Sequence, residues 1–206
     1  MRLLILTLAL VSLGGCSMAD TPTPDYRVER TAADGQIEIR RYDTLVVADV
    51  SISGDRGSAA NRGFRPLADY IFGGNQRGEK IGMTAPVLQT AEGDVSADRP
   101  VDKTERWQVQ FIMPEGAALD SLPRPKDRSV TLHEWRPDRV AVLRFSGFNW
   151  ADKLEEKRQA LRAWLDQEGL DPQGPAVFAF YDPPWTPPFL KRNEVMIALR
   201  DNDPAP

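Results

Sequence analysis

Apolar and polar positions alternate in two stretches of the chain that answer one another. In the first, Ile37 and Ile39 alternate with Glu38 and Arg40 up to Tyr42, and a denser apolar run through Val46, Val47, Ala48, Val50 and Ile52 ends at Ser53-Gly54. In the second, Val130 and Leu132 alternate with Thr131 and His133 up to Trp135, and Val140, Ala141, Val142, Leu143 and Phe145 lead to Ser146-Gly147. Period-two alternation reads as a half-buried strand and a short continuous apolar run as a buried one. The two stretches superimpose at a fixed offset of 93 residues, Ile37 on Val130, Ile39 on Leu132, Tyr42 on Trp135 and Ser53-Gly54 on Ser146-Gly147.

Helical spacing follows each strand pair. Phe64, Leu67, Ala68 and Ile71 form one stripe closed by Gly73-Gly74, and Trp150, Leu154, Leu161, Trp164 and Leu165 form another closed by Gly169. Asn149 is the expected N-cap of the second helix, with Asp152 in its first turn. Two more strands then finish each half, at about 85–90 and 107–113 in the first and 176–181 and 194–199 in the second. A ββαββ unit occurring twice predicts an internal duplication and an α+β fold: a curved antiparallel sheet or barrel of about eight strands flanked by two helices. Pro86, at the start of one strand, cannot donate to a ladder and is expected at an edge or a bulge.

The ends of the chain read differently. Residues 3–13 form an apolar run behind Arg2, too short for the ~20 helical residues that span a bilayer but suited to a secretory leader. The run closes in Leu13-Gly14-Gly15-Cys16, which resembles a bacterial lipobox. The expectation is a leader over 1–16 with Cys16 lipidated, a polar tether over 17–25, one domain over 26–200 and a loose tail over 201–206. A plain signal peptide with a chance cysteine is the other reading. Anchoring by acyl chains places the domain in the cell envelope, periplasm-facing; Ser17 after the cysteine favours the outer membrane.

Composition narrows the chemistry. With 26 Lys+Arg against 30 Asp+Glu, the net charge of −4 gives no basic excess for nucleic acid. One Cys excludes an internal disulfide, and one His confines any histidine-based triad or metal site to His133. No nucleophile elbow, phosphate loop or metal spacing occurs. Glu38, Glu134, Glu194, Asp182 and Tyr181 include possible acid–base pairs, although Arg192 offers Glu194 a local partner. The prolines of Tyr181-Asp182-Pro183-Pro184-Trp185-Thr186-Pro187-Pro188-Phe189 stiffen a long loop. That loop either holds Trp185 and Phe189 out as an apolar lip over a flat ligand or turns them into the core.

Four motifs in order then carry a resemblance: EIRRY, GF-x-PLADYI-x-GGN with KIGMTAPV, FSG, and YDPPWTPP ending in KRNEV. Together they resemble the SOUL family of haem-binding proteins over about residues 26–200. The resemblance implies a duplicated α+β fold, similar to the ligand-binding domains of multidrug-sensing regulators, and reversible binding of haem or a related tetrapyrrole in an apolar cleft. It places the wall at Phe64, Leu67, Ala68 and Ile71 of the first helix, with Met83, Trp185 and Phe189. Where the family carries basic residues toward the propionates, this chain has Asn61, Asp69 and Thr186, leaving Arg62, Arg65 and Lys191 as substitutes. The histidine that some members place on the second strand of the first half is missing. His133 lies in the other half; alternation sets it opposite Val130 and Leu132, as an ordinary surface histidine rather than an iron ligand. A cofactor-free interaction or scaffold module and a hydrolase or tetrapyrrole-modifying enzyme are the competing readings.

Overall fold

A computed structural model describes residues 21–92 and 100–200. The leader, Cys16, most of the tether and the 201–206 tail lie outside those residues. The elements run β1 (Arg27–Thr31), β2 (Ile37–Arg41), β3 (Leu45–Ser53), α1 (Arg56–Ile71), β4 (Val87–Ala91), β5 (Arg106–Ile112), β6 (Thr131–Trp135), β7 (Arg139–Phe145), α2 (Ala151–Glu168), β8 (Pro172–Phe180) and β9 (Asn193–Leu199). They form an α+β fold with one open antiparallel sheet ordered β1-β2-β7-β9-β8-β4-β5-β3-β6. The sheet thus has nine strands rather than eight; β1, which follows the expected tether, adds an edge beside β2.

Leaving aside β1, the sheet reads the same from either end when β2 and β6, β3 and β7, β4 and β8, and β5 and β9 are exchanged. The exchange holds at the level of register. A row of directly opposed residues, Val50–Val109–Gln89–Phe178–Val195–Leu143, crosses six strands. Val50 and Leu143 are related by the 93-residue offset, and the row meets its own image at Gln89 and Phe178. Likewise Arg40 faces Val140 as Val47 faces His133.

Both helices lie on one face of this sheet. Leu67, Tyr70 and Ile71 of α1 pack on Ala48, Val50, Val109 and Phe111, while Leu154, Leu161 and Leu165 of α2 pack on Ile39, Leu143, Val195 and Ile197. The other face carries Tyr42, Val47, Leu88, Ile112, Val140, Val142, Ala179 and Met196. At Gly63 a Cβ would meet Val109 Cγ2 at 2.8 Å, so the missing side chain sets how closely α1 approaches β5.

Local chemistry explains the helix limits. The Asp55 carboxylate caps α1 by accepting from Ser58 N at 3.0 Å. Gly169, at φ 67°, ends α2 with Leu170 N donating to Leu165 O at 2.9 Å, the left-handed stop expected of a glycine there. Two local expectations are corrected. Trp150, not Asn149, is the N-cap of α2 and makes no side-chain capping bond, so its indole leaves the buried stripe for solvent. Pro86 precedes an interior strand, β4; it sits just outside the ladder, where no donor is needed.

Candidate functional site

Four of the expected wall residues, Phe64, Leu67, Ala68 and Ile71, are sorted by helix geometry. Leu67 and Ile71 are 0% and 1% exposed in the core beneath α1, so they hold the helix to the sheet and offer a ligand nothing. That is a correction with a simple cause: a helix has one sheet-facing stripe, and Ala59, Gly63, Leu67, Tyr70 and Ile71 occupy it. Phe64 stands on the adjacent flank, where spacing by four aligns Arg56, Ala60, Phe64, Ala68 and Phe72. Phe64 is exposed and Ala68 half-buried. The flank faces the middle of the sheet, since Phe64 meets Phe111 edge-on at 5.2 Å and Arg56 reaches Gln89 of β4. Met83, just past α1, is exposed, as is Phe72, which periodicity alone had not singled out.

Beside this flank the sheet presents the opposed row Phe111–Val87–Phe180, three strands and so about 10 Å wide. Phe180 ends β8, and from it springs the proline-rich loop. The loop is held by its own backbone: Thr186 N donates to Pro183 O at 3.1 Å, and Leu190 N to Pro187 O at 2.9 Å. It is also tied to the turn before α2, where Gly147 N donates to Pro188 O at 2.8 Å and Asn193 Nδ2 to Gly147 O at 3.1 Å. Trp185 and Phe189 are 81% and 75% exposed, so the loop holds its aromatics outward and the core-filling alternative is set aside. Phe148 and Trp150, on that neighbouring turn, are also exposed and stack on each other at 4.7 Å and 9°. Sequence reading missed this pair because Trp150 shares the helical spacing of the α2 core stripe.

The expected cations scatter. Arg62 lies on the opposite flank of α1 from Phe64 and donates to the Ser53 carbonyl. Arg65 is exposed, without an ion pair among the described residues. Lys191 Nζ donates to Pro184 O at 3.2 Å, bracing its own loop. Arg56, which the sequence did not mark, is the cation the fold brings to the centre of this face.

Of the possible acid–base residues, Glu194, Tyr181 and, through Arg40, Glu38 join a closed network on the helix-free face, whereas Glu134 pairs with Arg136 at 2.7 Å at the surface and Asp182 accepts from Arg192 N at 2.6 Å. Glu194 (0% exposed) accepts from Arg40 (2%) through Nη1 at 3.0 Å and Nη2 at 3.1 Å, from Arg192 Nε at 3.0 Å and Nη2 at 2.8 Å, and from Tyr181 Oη at 2.8 Å. Burial alone would raise the Glu194 pKa, but the charges of Arg40 and Arg192 and the hydrogen bonds from Arg40 and Tyr181 hold it below the ordinary carboxylate range. Burial and then the charge of Glu194 push the Tyr181 hydroxyl upward, and burial pushes Tyr42 up to about 12. A carboxylate with five donors around it has no lone pair left to take a substrate proton. Its role is mechanical: it joins β2 to β9 and, through Arg192 and Tyr181, clamps both ends of the proline-rich loop.

His133 occupies, by the 93-residue offset, the place of Arg40. Its Nδ1 lies 2.9 Å from Asp49 Oδ1, and Thr131 Oγ1 and Gln108 Nε2 each donate to Asp49 at 2.8 Å. The imidazole is half-exposed on edge strand β6, on the face away from Phe64, so alternation placed it correctly. Among the described residues no three His, Cys, Asp or Glu side chains gather as metal ligands.

The family described as SOUL heme-binding protein matches residues 21–198. Heme-binding protein 2 of Homo sapiens is 29% identical over 190 residues, 88% of this chain and 87% of that protein. Heme-binding protein 1 of Mus musculus is 27% identical over 179 residues, 84% of each. The EcmrR C-terminal domain superposes with a TM-score of 0.61 at 10% identity, over 80% of this chain and 97% of that one. A structure described as a hydrolase from Listeria innocua gives 0.54 at 10% identity, over 80% and 92%. At such identities these two structures share the fold alone, whereas the family match runs through α1, KIGMTAPV and the proline-rich loop: the chain belongs to the SOUL heme-binding protein family.

Proposed function

We propose that this protein binds haem or a related tetrapyrrole reversibly, as a carrier, buffer or sensor in the cell envelope, and that it is a binding protein rather than an enzyme. The observation that carries this is the exposure of Trp185 and Phe189 on a braced loop that springs from Phe180, the end of the same Phe111–Val87–Phe180 row whose other end, Phe111, meets the exposed Phe64. Soluble proteins expose large apolar side chains singly; several gathered around one concave region mark a ligand or partner site. The donor set fits a macrocycle held by its faces and a carboxylate: apolar walls and one central cation, with no nitrogen ligand on that face. Bound haem would supply its own iron chemistry, and the chain supplies the slot. The relatives' name as heme-binding proteins and the closed state of Glu194 both favour binding over catalysis. Register symmetry about Gln89 and Phe178 supports reading the halves as duplicates of one ββαββ unit.

Titrating residues 17–206 with hemin is expected to give a saturable Soret shift, and His133→Ala to give nearly the same curve. A flat titration would favour the cofactor-free interaction module, and a shift lost with His133 would move the site to the other face. The lipobox-like Leu13-Gly14-Gly15-Cys16 supports membrane attachment through Cys16. Expressed in a bacterium, the full chain is then expected in the membrane fraction and Cys16→Ser in the soluble one; equal partitioning would remove the anchor.

A further inference from the structure

Arg56 is the first residue of α1, and Asn149, 93 residues on, lies in the turn that opens α2; the two helix entries meet beside the Gln89–Phe178 centre of the sheet. Arg56 Nη1 donates to Gln89 Oε1 at 2.9 Å, Nη2 donates to the Asn149 carbonyl, and the guanidinium lies 5.3 Å over the Phe180 ring. Every one of these partners is neutral. Nε is buried with no hydrogen-bond partner, and among the described residues no carboxylate comes within ion-pair distance of this side chain. Asp55, its neighbour in sequence, is spent on capping Ser58 N. Elsewhere in the fold, buried arginines are matched: Arg40 by Glu194, Arg139 by Glu29, Arg158 by Glu155.

A cation taken out of water with no carboxylate in ion-pair reach is costly, and burial, only partly opposed by the nearby charge of Asp55, pulls the Arg56 pKa down to about 10, still protonated at neutral pH. The two acceptors that hold it are a side-chain amide and a main-chain carbonyl, which orient a guanidinium without neutralising it. Next to the carbonyl, on either side of Asn149, stand the stacked and exposed rings of Phe148 and Trp150. Arg56 itself keeps part of its surface open to solvent.

We propose that Arg56 is the counter-charge for a carboxylate carried on a flat aromatic ligand, whose ring system lies against the Phe148–Trp150 side of the site. This rests on the tetrapyrrole reading and deepens it, because a haem propionate is such a carboxylate; it also takes over the role that Arg62, Arg65 and Lys191 do not fill. The inference requires the charge of the ligand and not only its oiliness.

The experiment compares hemin with its dimethyl ester, and 2-naphthoate with 2-naphthamide, on residues 17–206 and on Arg56→Met, which keeps most of the apolar stem. The expected result is that the unaltered protein prefers hemin over the ester by about tenfold, a charge-assisted hydrogen bond's worth. Arg56→Met is expected to lose that factor for hemin and to change less than twofold for the ester. Without ligand, Arg56→Met should melt at the same temperature or higher, since an uncompensated cation is removed. Equal affinity for hemin and ester overturns the proposal, as does a fall of several degrees in the unliganded variant, which would make Arg56 a structural tie. Should neither porphyrin bind, the tetrapyrrole reading fails by itself. The Arg56 site is then decided by 2-naphthoate, which must raise the melting temperature of the unaltered protein and not of Arg56→Met; no rise with either overturns it.

Discussion

Glu194→Gln is expected to destabilise the protein by roughly 3–5 kcal/mol, the cost of breaking a buried ion pair from one side. The carboxylate is the single acceptor shared by Arg40, Arg192 and Tyr181. Without its charge, Arg40 keeps the half-buried Glu38 carboxylate at 2.7 Å, the buried Tyr42 hydroxyl and the Tyr26 ring. Urea unfolding measures the loss, and a decrease below about 1 kcal/mol would show that the network relaxes around a neutral amide. The pair Arg40→Met with Glu194→Leu should recover most of the loss, because neither charge is then stranded. Acid has a predictable sign here. Folding holds the Glu194 carboxyl below its ordinary pKa of about 4.3, so its contribution is complete above that value and is lost as pH falls through the lowered folded-state pKa. Glu194→Gln should therefore flatten the acid side of the stability curve; an unchanged acid slope would assign that slope to other carboxylates such as Glu29, also lowered by Arg139 against the effect of burial.

Why some of this was legible in the chain and some was not comes down to the range of the forces involved. Alternation in residues 37–42 and 130–135 reports burial of one face directly, and the 93-residue offset carries over into ladder register because the same spacing of apolar positions selects the same pairing. The glycine after α2 follows from local backbone constraint, whereas the prolines of the long loop left open whether Trp185 and Phe189 turn outward or into the core, and only the fold decides it. Periodicity could not say which side of a helical stripe meets the sheet. Phe64, Leu67, Ala68 and Ile71 looked equivalent, yet Leu67 and Ile71 are core and Phe64 is surface, and Gly63, which lets α1 approach, has no hydrophobicity to report. Arg56 was invisible for another reason: its oddity is the lack of an acid partner in three dimensions, while Asp55 beside it in sequence suggests one. Trp150 failed through position, since a residue at the cap shares the phase of the stripe without sharing its burial.

The same division of α1 and loop gives opposite outcomes for two truncations of large apolar side chains. Leu67→Ala removes a side chain that is fully buried against β3 and β5, and is expected to cost about 2–5 kcal/mol, the transfer and cavity terms together. Its hemin affinity, measured well below the melting transition, should stay within twofold, because no part of Leu67 reaches the ligand side. Trp185→Ala removes a side chain that is almost wholly exposed and should leave stability within about 0.5 kcal/mol. If the loop closes over a macrocycle, however, it should weaken hemin by about tenfold, since an aromatic anchor covered on binding is worth ~1–3 kcal/mol. Thermal melts and Soret titrations on both variants separate the two roles. Loss of affinity with Leu67 rather than Trp185 would mean that the slot lies beneath α1 and not between its flank and the loop. Loss with neither would leave the proline-rich loop as a braced surface whose occupant is another protein.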